Sequence, residues 1–254
     1  MARKKKKTSY GRLMVALLIM VILTVVALVK MDAYETPGPV FEAFGIPIPR
    51  DYSIHGIDVS RYQQKINWRS VKKMKSGDKS VSFAFIKATE GLSNKDERFE
   101  RNWQRAEEED LVKGAYHYFI SSKNGNEQAD HFIHTVSLQS GDLPPVVDIE
   151  ETCGVEEDQI CSRLSDWLKK VESHYGVKPI IYTNVRFYEQ YLAADFADYP
   201  LWIAHYLQSD RPRIGRNWWF WQHSESGRVS GIKAKVDFNV FNGDSSDFRK
   251  ILIQ

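Results

Sequence analysis

Residues 143–151 read LPPVVDIEE. The paired prolines stop whatever precedes them, because proline lacks the N–H that a helix or ladder needs. Val146 and Val147 then lead into Asp148, Ile149 and Glu150. Side chains at i and i+2 share one face of a strand, so Asp148 and Glu150 project together while Ile149 faces the other way. Two carboxyls held side by side raise each other's pKa, and one can keep its proton near neutral pH. A protonated acid beside an ionised one is the pair that glycoside cleavage uses. The competing reading is a strand that ends at the surface with two solvated acids, and the rest of the chain decides between them.

Working outward, short apolar runs alternate with helical patterns. Strands are predicted at 55–59, 81–87, 114–119, 146–150, 179–183, 201–204, 218–222 and 235–239. Helices are predicted at 68–75, 97–110, 126–138, 157–174 and 185–194. In the fourth of these, Ile160, Leu164, Trp167, Leu168 and Val171 form one stripe and Gly176 suits the stop. Past Leu201 the helical patterns largely vanish. Five strand–helix units followed by three closely spaced strands predict an α/β fold, a modified TIM-like (β/α)5(β)3 barrel over residues 54–254. An open doubly wound sheet is the alternative, but no Gly-rich loop follows the first strand. Several strands end in reactive side chains. Asp58 ends the first, Asp148 and Glu150 the fourth, and Asp237 and Asn239 lie on the eighth. In a closed barrel these acids would meet at one mouth, which argues against the solvated pair.

The 35 Lys and Arg against 33 Asp and Glu conceal an asymmetry. Seven of the cations lie in residues 1–30, which contain no acid, so the remaining 28 cations face 33 acids and leave about −5. That balance has no basic stripe of the kind nucleic-acid binding requires. A basic N-terminus, residues 1–12, precedes an apolar run at 13–29 in which Thr24 is the lone polar side chain. This predicts one transmembrane helix, 13–30, with a cytoplasmic N-terminus and the remainder periplasmic or extracellular. A cleaved signal peptide is the competing expectation, but the run ends without an A-x-A pattern. Residues 31–53, with Pro37, Pro39, Pro47 and Pro49, read as an extended linker.

Cys153 and Cys161 flank a short acidic segment. A disulfide between them and a pair of free thiols are both open, since spacing does not fix Cα geometry. No third and fourth ligand sits at a metal-site spacing, so no metal and no cofactor is expected. His131 and His134 share a helix face without a third ligand, and His117 reads as a hydrogen-bonded packing residue. Lys87 either reaches the mouth or pairs with Glu90.

The motifs GIDVSRYQ, FIKATEG, GAYHYF, LPPVVDIE, PIIYT, LWIA, WQ and VDFN occur here in the order found in glycoside hydrolase family 25, the Chalaropsis-type lysozymes, which this chain resembles over residues 54–250. The resemblance implies a (β/α)5(β)3 barrel. It also implies cleavage of the β-1,4 bond between N-acetylmuramic acid and N-acetylglucosamine in peptidoglycan glycan strands. It makes Glu150 the general acid, Asp148 its partner as charge stabiliser or orienter of the substrate N-acetyl group, and Asp58 and Asp237 the other two acids of the centre. Tyr116, Tyr182, Trp202 and Gln222 fall on motif positions near the sugar cleft. Two readings from other classes stand beside it. One is a membrane-tethered, catalytically silent peptidoglycan-binding module. The other is a metal-dependent deacetylase, whose His-rich ligand set the sequence lacks.

Overall fold

The computed structural model describes residues 40–254 and, ahead of them, Met20. The expected basic terminus and transmembrane helix therefore lie outside the described residues, apart from Met20, as do residues 31–39 of the expected linker. Among the described residues no helix is long and apolar enough to cross a membrane.

Among residues 40–254 twelve strands and six α-helices follow in order. A small hairpin, β1 (Val40–Phe41) and β2 (Ile46–Pro47), precedes β3 (His55–Val59) and α1 (Trp68–Lys73). Next come β4 (Lys75–Ser76), β5 (Lys79–Glu90), β6 (Asn94–Lys95), α2 (Phe99–Glu107), β7 (Val112–Tyr118), α3 (Gly125–Thr135), β8 (Val146–Asp148) and α4 (Glu157–Tyr175). The chain continues through β9 (Ile180–Asn184), α5 (Val185–Phe187) with a π turn to Leu192, β10 (Leu201–Ala204), β11 (Phe220–Gly227), β12 (Val236–Phe241) and α6 (Ser245–Lys250). Eight of the described strands close a barrel in the order β3-β12-β11-β10-β9-β8-β7-β5, with β5 pairing back to β3. The first five barrel strands are each followed by a helix, while no helix separates β10, β11 and β12, which is the expected (β/α)5(β)3 pattern with the short α6 after the last strand. One feature departs from expectation. β12 runs antiparallel to both β11 and β3, so Asp237 lies near its start and not its end. The register pairs Asp237 with Asp58, which brings it to the same mouth.

Period-two alternation sorts side chains between two compartments. Inside the barrel, Phe83, Phe85, Val146, Ile180, Trp202, Phe220 and Phe241 form an apolar plug. Glycine makes the plug possible: a Cβ on Gly56 would come within 2.4 Å of the Phe83 ring, and one on Gly114 within 2.7 Å of Phe85. Outside, the strands pack against the helices. The α4 stripe of Ile160, Leu164, Trp167, Leu168 and Val171 is buried as expected, and Gly176 ends the helix at φ 72°. Asn124 caps α3 by accepting from Glu127 N.

The strands β11 and β12 have no helix of their own to cover their outer face. Residues 40–53 cover it instead, correcting the expectation that they belong to an extended linker. Phe44, Ile46 and Ile48 are each at most 2 % exposed. Phe44 meets Phe238 edge-on at 5.2 Å, Arg228 N donates to Phe44 O, and Tyr52 packs on Trp218 and Trp221. Cys153 and Cys161 are separate thiols in this structure. Cys153 is exposed in the loop after β8, while Cys161 Sγ on α4 donates to Tyr191 O.

Candidate active site

The polar ring above the plug is built from the same alternation. One step up from Gly56 is Asp58, from Gly114 is Tyr116, from Val146 is Asp148, from Ile180 is Tyr182 and from Phe220 is Gln222. Asp58 anchors a network. Its Oδ2 accepts from Gln222 Nε2 at 2.9 Å and from Asn239 Nδ2 at 2.8 Å. Gln222 Oε1 in turn accepts from the hydroxyls of Tyr182 at 2.7 Å and Tyr206 at 2.6 Å. Asn239 Oδ1 accepts from Trp202 Nε1 at 2.8 Å. Burial pushes the Asp58 carboxyl up, against the pull of its donors Asn239, Gln222 and Asp237. Asp237 is pushed up to about 9, first by burial and then by the charge of Asp58, to which it donates a hydrogen bond.

A second pair faces the first. Asp148 and Glu150 hydrogen-bond each other, and burial raises both. Asp148 lies deeper, is raised well above the usual carboxylate range, and is the donor; Lys87 pulls it the other way. Its Oδ1 is buried with no hydrogen-bond partner. Like charges this close cannot both ionise at small cost, so the pair holds one proton. Burial is nearly complete at Asp148 and only partial at Glu150, so desolvation draws the proton to Asp148. Glu150 lies two residues beyond the end of β8 and opens onto the surface. It lines a cleft of about 860 Å³ with Asn184, Arg186 and Tyr206, and a second of about 300 Å³ with Thr152 and Gln190.

The four expected acids are thus brought together. The expected sugar-contact residues divide. Tyr116 sits among the acids, and its hydroxyl is raised by burial and then by Asp58, Asp148 and Asp237. Trp202, however, is 2 % exposed, stacked on Phe85 at 4.3 Å. It is part of the plug and offers no face to a sugar. Gln222 is equally buried and Tyr182 nearly so. Tyr182 donates to Gln222, Trp202 to Asn239 and Gln222 to Asp58, so all three join the network that holds Asp58. The sequence reading missed Tyr206, which lies in a loop past β10 where no periodicity marks it. Lys87 does both things considered for it: its Nζ pairs with Glu90 at 2.7 Å and acts on Asp148. His117 packs outside the barrel, bonded to Thr89 and stacked on Trp167.

A barrel of this topology with paired acids at its mouth is the architecture of a glycoside hydrolase. The sequence profile of glycosyl hydrolases family 25 matches residues 57–232, and the chain belongs to that family. It is 49 % identical over 202 residues to the uncharacterized protein YegX of Escherichia coli K12, covering 80 % of this chain and 74 % of that one. It is 36 % identical over 214 residues to lysozyme M1 of Streptomyces globisporus, covering 78 % and 71 %. Among solved structures, a family 25 glycosyl hydrolase from Bacillus anthracis superposes with a TM-score of 0.73 at 34 % identity, covering 80 % of this chain and 95 % of that one. The bacterial lysozyme from Streptomyces coelicolor superposes at 0.72 and 32 % identity, covering 80 % and 98 %. The protein is therefore a glycoside hydrolase.

Proposed function

We propose that this enzyme is a muramidase, cleaving the β-1,4 bond between N-acetylmuramic acid and N-acetylglucosamine in peptidoglycan, with Glu150 as general acid. The observation that carries the reading is the pairing of Glu150, which opens onto the cleft, with Asp148, which is buried behind it. Lysozymes among the relatives and structural neighbours support the substrate class.

The two carboxyls divide the work. In the free enzyme their shared proton rests on Asp148. Asp148 Oδ1 has no partner, and a substrate acetamido N–H donating to it stabilises the ionised form. The proton then passes along the hydrogen bond to Glu150, which delivers it to the glycosidic oxygen. Asp148, now a carboxylate, orients the acetamido group and opposes the positive charge growing at the anomeric carbon. Asp58 and Asp237 hold one proton between them and keep a negative field across the mouth, with the Tyr116 hydroxyl among them.

Glu150→Gln keeps shape and removes the acid. It is expected to lower release of reducing muramic acid from purified peptidoglycan by roughly 10²–10⁴-fold while wall binding survives. Near-normal turnover would overturn the assignment, and reducing N-acetylglucosamine ends from the wild type would reassign the bond. Wall binding without any cleavage by the wild type would favour the silent binding module.

We also propose that residues 13–30 anchor the enzyme in the membrane as a single span, N-terminus inside and barrel in the periplasm or outside the cell. The apolar run behind a basic flank supports this.

A further inference from the structure

The mouth is acidic, yet one cleft beside the barrel is basic. It encloses about 510 Å³ between the start of α1, the outer side of α2 and the β11–β12 hairpin. Lys65, Arg69, Arg101, Arg105 and Lys233 converge on it. Arg105 is paired with Glu108. Lys65, Arg69, Arg101 and Lys233 form no ion pair within 4.0 Å among the described residues, though Arg101 donates to Ile66 O at 3.3 Å. Ile66 and Trp68 lie beneath it, both at most 2 % exposed. Five cations against Glu108 and Glu109, which also line the cleft, leave an excess of three, and this in a domain that is otherwise net acidic. The walls are also stitched together: Gln63 Nε2 donates to Lys235 O and Asn67 N to Gly231 O, each at 3.0 Å. The site is preformed, with no loop to be ordered on binding.

Both walls that carry these bonds leave the barrel at its mouth. The segment after β3 starts from Asp58, and the hairpin returns into β12 at Asp237. We propose that this cleft binds the carboxylates of the peptide stems that substitute the glycan strand, an assignment that rests on the muramidase reading. Guanidinium and ammonium groups converging on one concavity suit the several carboxylates of such a peptide. Stem binding there would also offset the repulsion that an anionic wall meets from the four acids at the mouth.

The test uses the full chain and the triple variant Lys65→Gln/Arg69→Gln/Lys233→Gln, none of which touches the acid network. Soluble peptidoglycan fragments are compared with the same fragments stripped of their stems by an amidase. On intact fragments KM is expected to rise about tenfold with kcat unchanged, while on stripped fragments wild type and variant behave alike. Unchanged KM on intact fragments, or an equal loss on both substrates, would overturn the site. Calorimetric titration with a synthetic stem tetrapeptide reads binding without turnover, and is expected to be about tenfold weaker in the variant. Equal tetrapeptide binding by both proteins would overturn the proposal. Competition by inorganic phosphate at the same concentration would do so too, marking a general anion site. If the wild type cleaves neither substrate yet binds the tetrapeptide through these residues, the muramidase reading fails and the anion site stands.

Discussion

Asp148 and Asp237 are each the better-protonated half of a pair, and the consequence is measurable. Asp237 is raised from 3.8 to about 9 in the folded protein. Between those values the folded chain binds a proton that the unfolded chain has lost, so stability falls as pH rises through that window. Its contribution is fully present below about pH 4. Asparagine is nearly isosteric, keeps a donor toward Asp58 and does not titrate. Asp237→Asn is therefore expected to melt above wild type at pH 8 in thermal scans, with the gap closing toward pH 4. A gap that is constant across this range would show that Asp237 is not held protonated. The same residues show what a sequence can reveal. Asp58, Asp148, Glu150 and Asp237 were legible because each sits in a short apolar run where alternation puts it on the inner face. The burial of Trp202 was illegible because alternation specifies which face a side chain takes, and not its depth along the barrel axis. The proton's location was illegible for a related reason: it depends on a difference in burial between two neighbours on one face.

Elements were legible in kind and order, less so in direction and cover. Helices and parallel strands were marked by periodicity, and Leu201–Ala204 was found to the residue. The reversal of β12 follows from the short connection out of β11, too short for the crossover a parallel strand requires. The cover over β11 and β12 was missed because prolines dominate the reading of residues 31–53. Its signal was the alternation of Phe44, Ile46 and Ile48, which is strand-like. These side chains do the work a helix does elsewhere on the barrel. Phe44→Ala should cost about 3 kcal/mol or more, a fall in melting temperature of roughly 6–12 °C at 2–4 °C per kcal/mol. A change under about 2 °C in calorimetry would mean the cover is dispensable.

For the whole molecule, the anchor proposal makes a prediction at its own scale. Fractionated cells should retain the full chain, with residue 1 or 2 at its N-terminus, in the membrane pellet. A soluble protein starting near residue 30 would overturn it. Architecture carries a second consequence through the way the barrel closes. Asp58 lies on the first barrel strand, and its donor Asn239 and its proton-sharing partner Asp237 lie on the last. A ribosome makes Asp58 some 180 residues before Asn239. For about the last 90 residues of that interval the nascent chain has Asp148 and Glu150 but no completed mouth around them. Sequence-distant closure of this kind is also slow. Synthesis thus has a built-in delay between making one pair of acids and making the strand that completes the mouth around them.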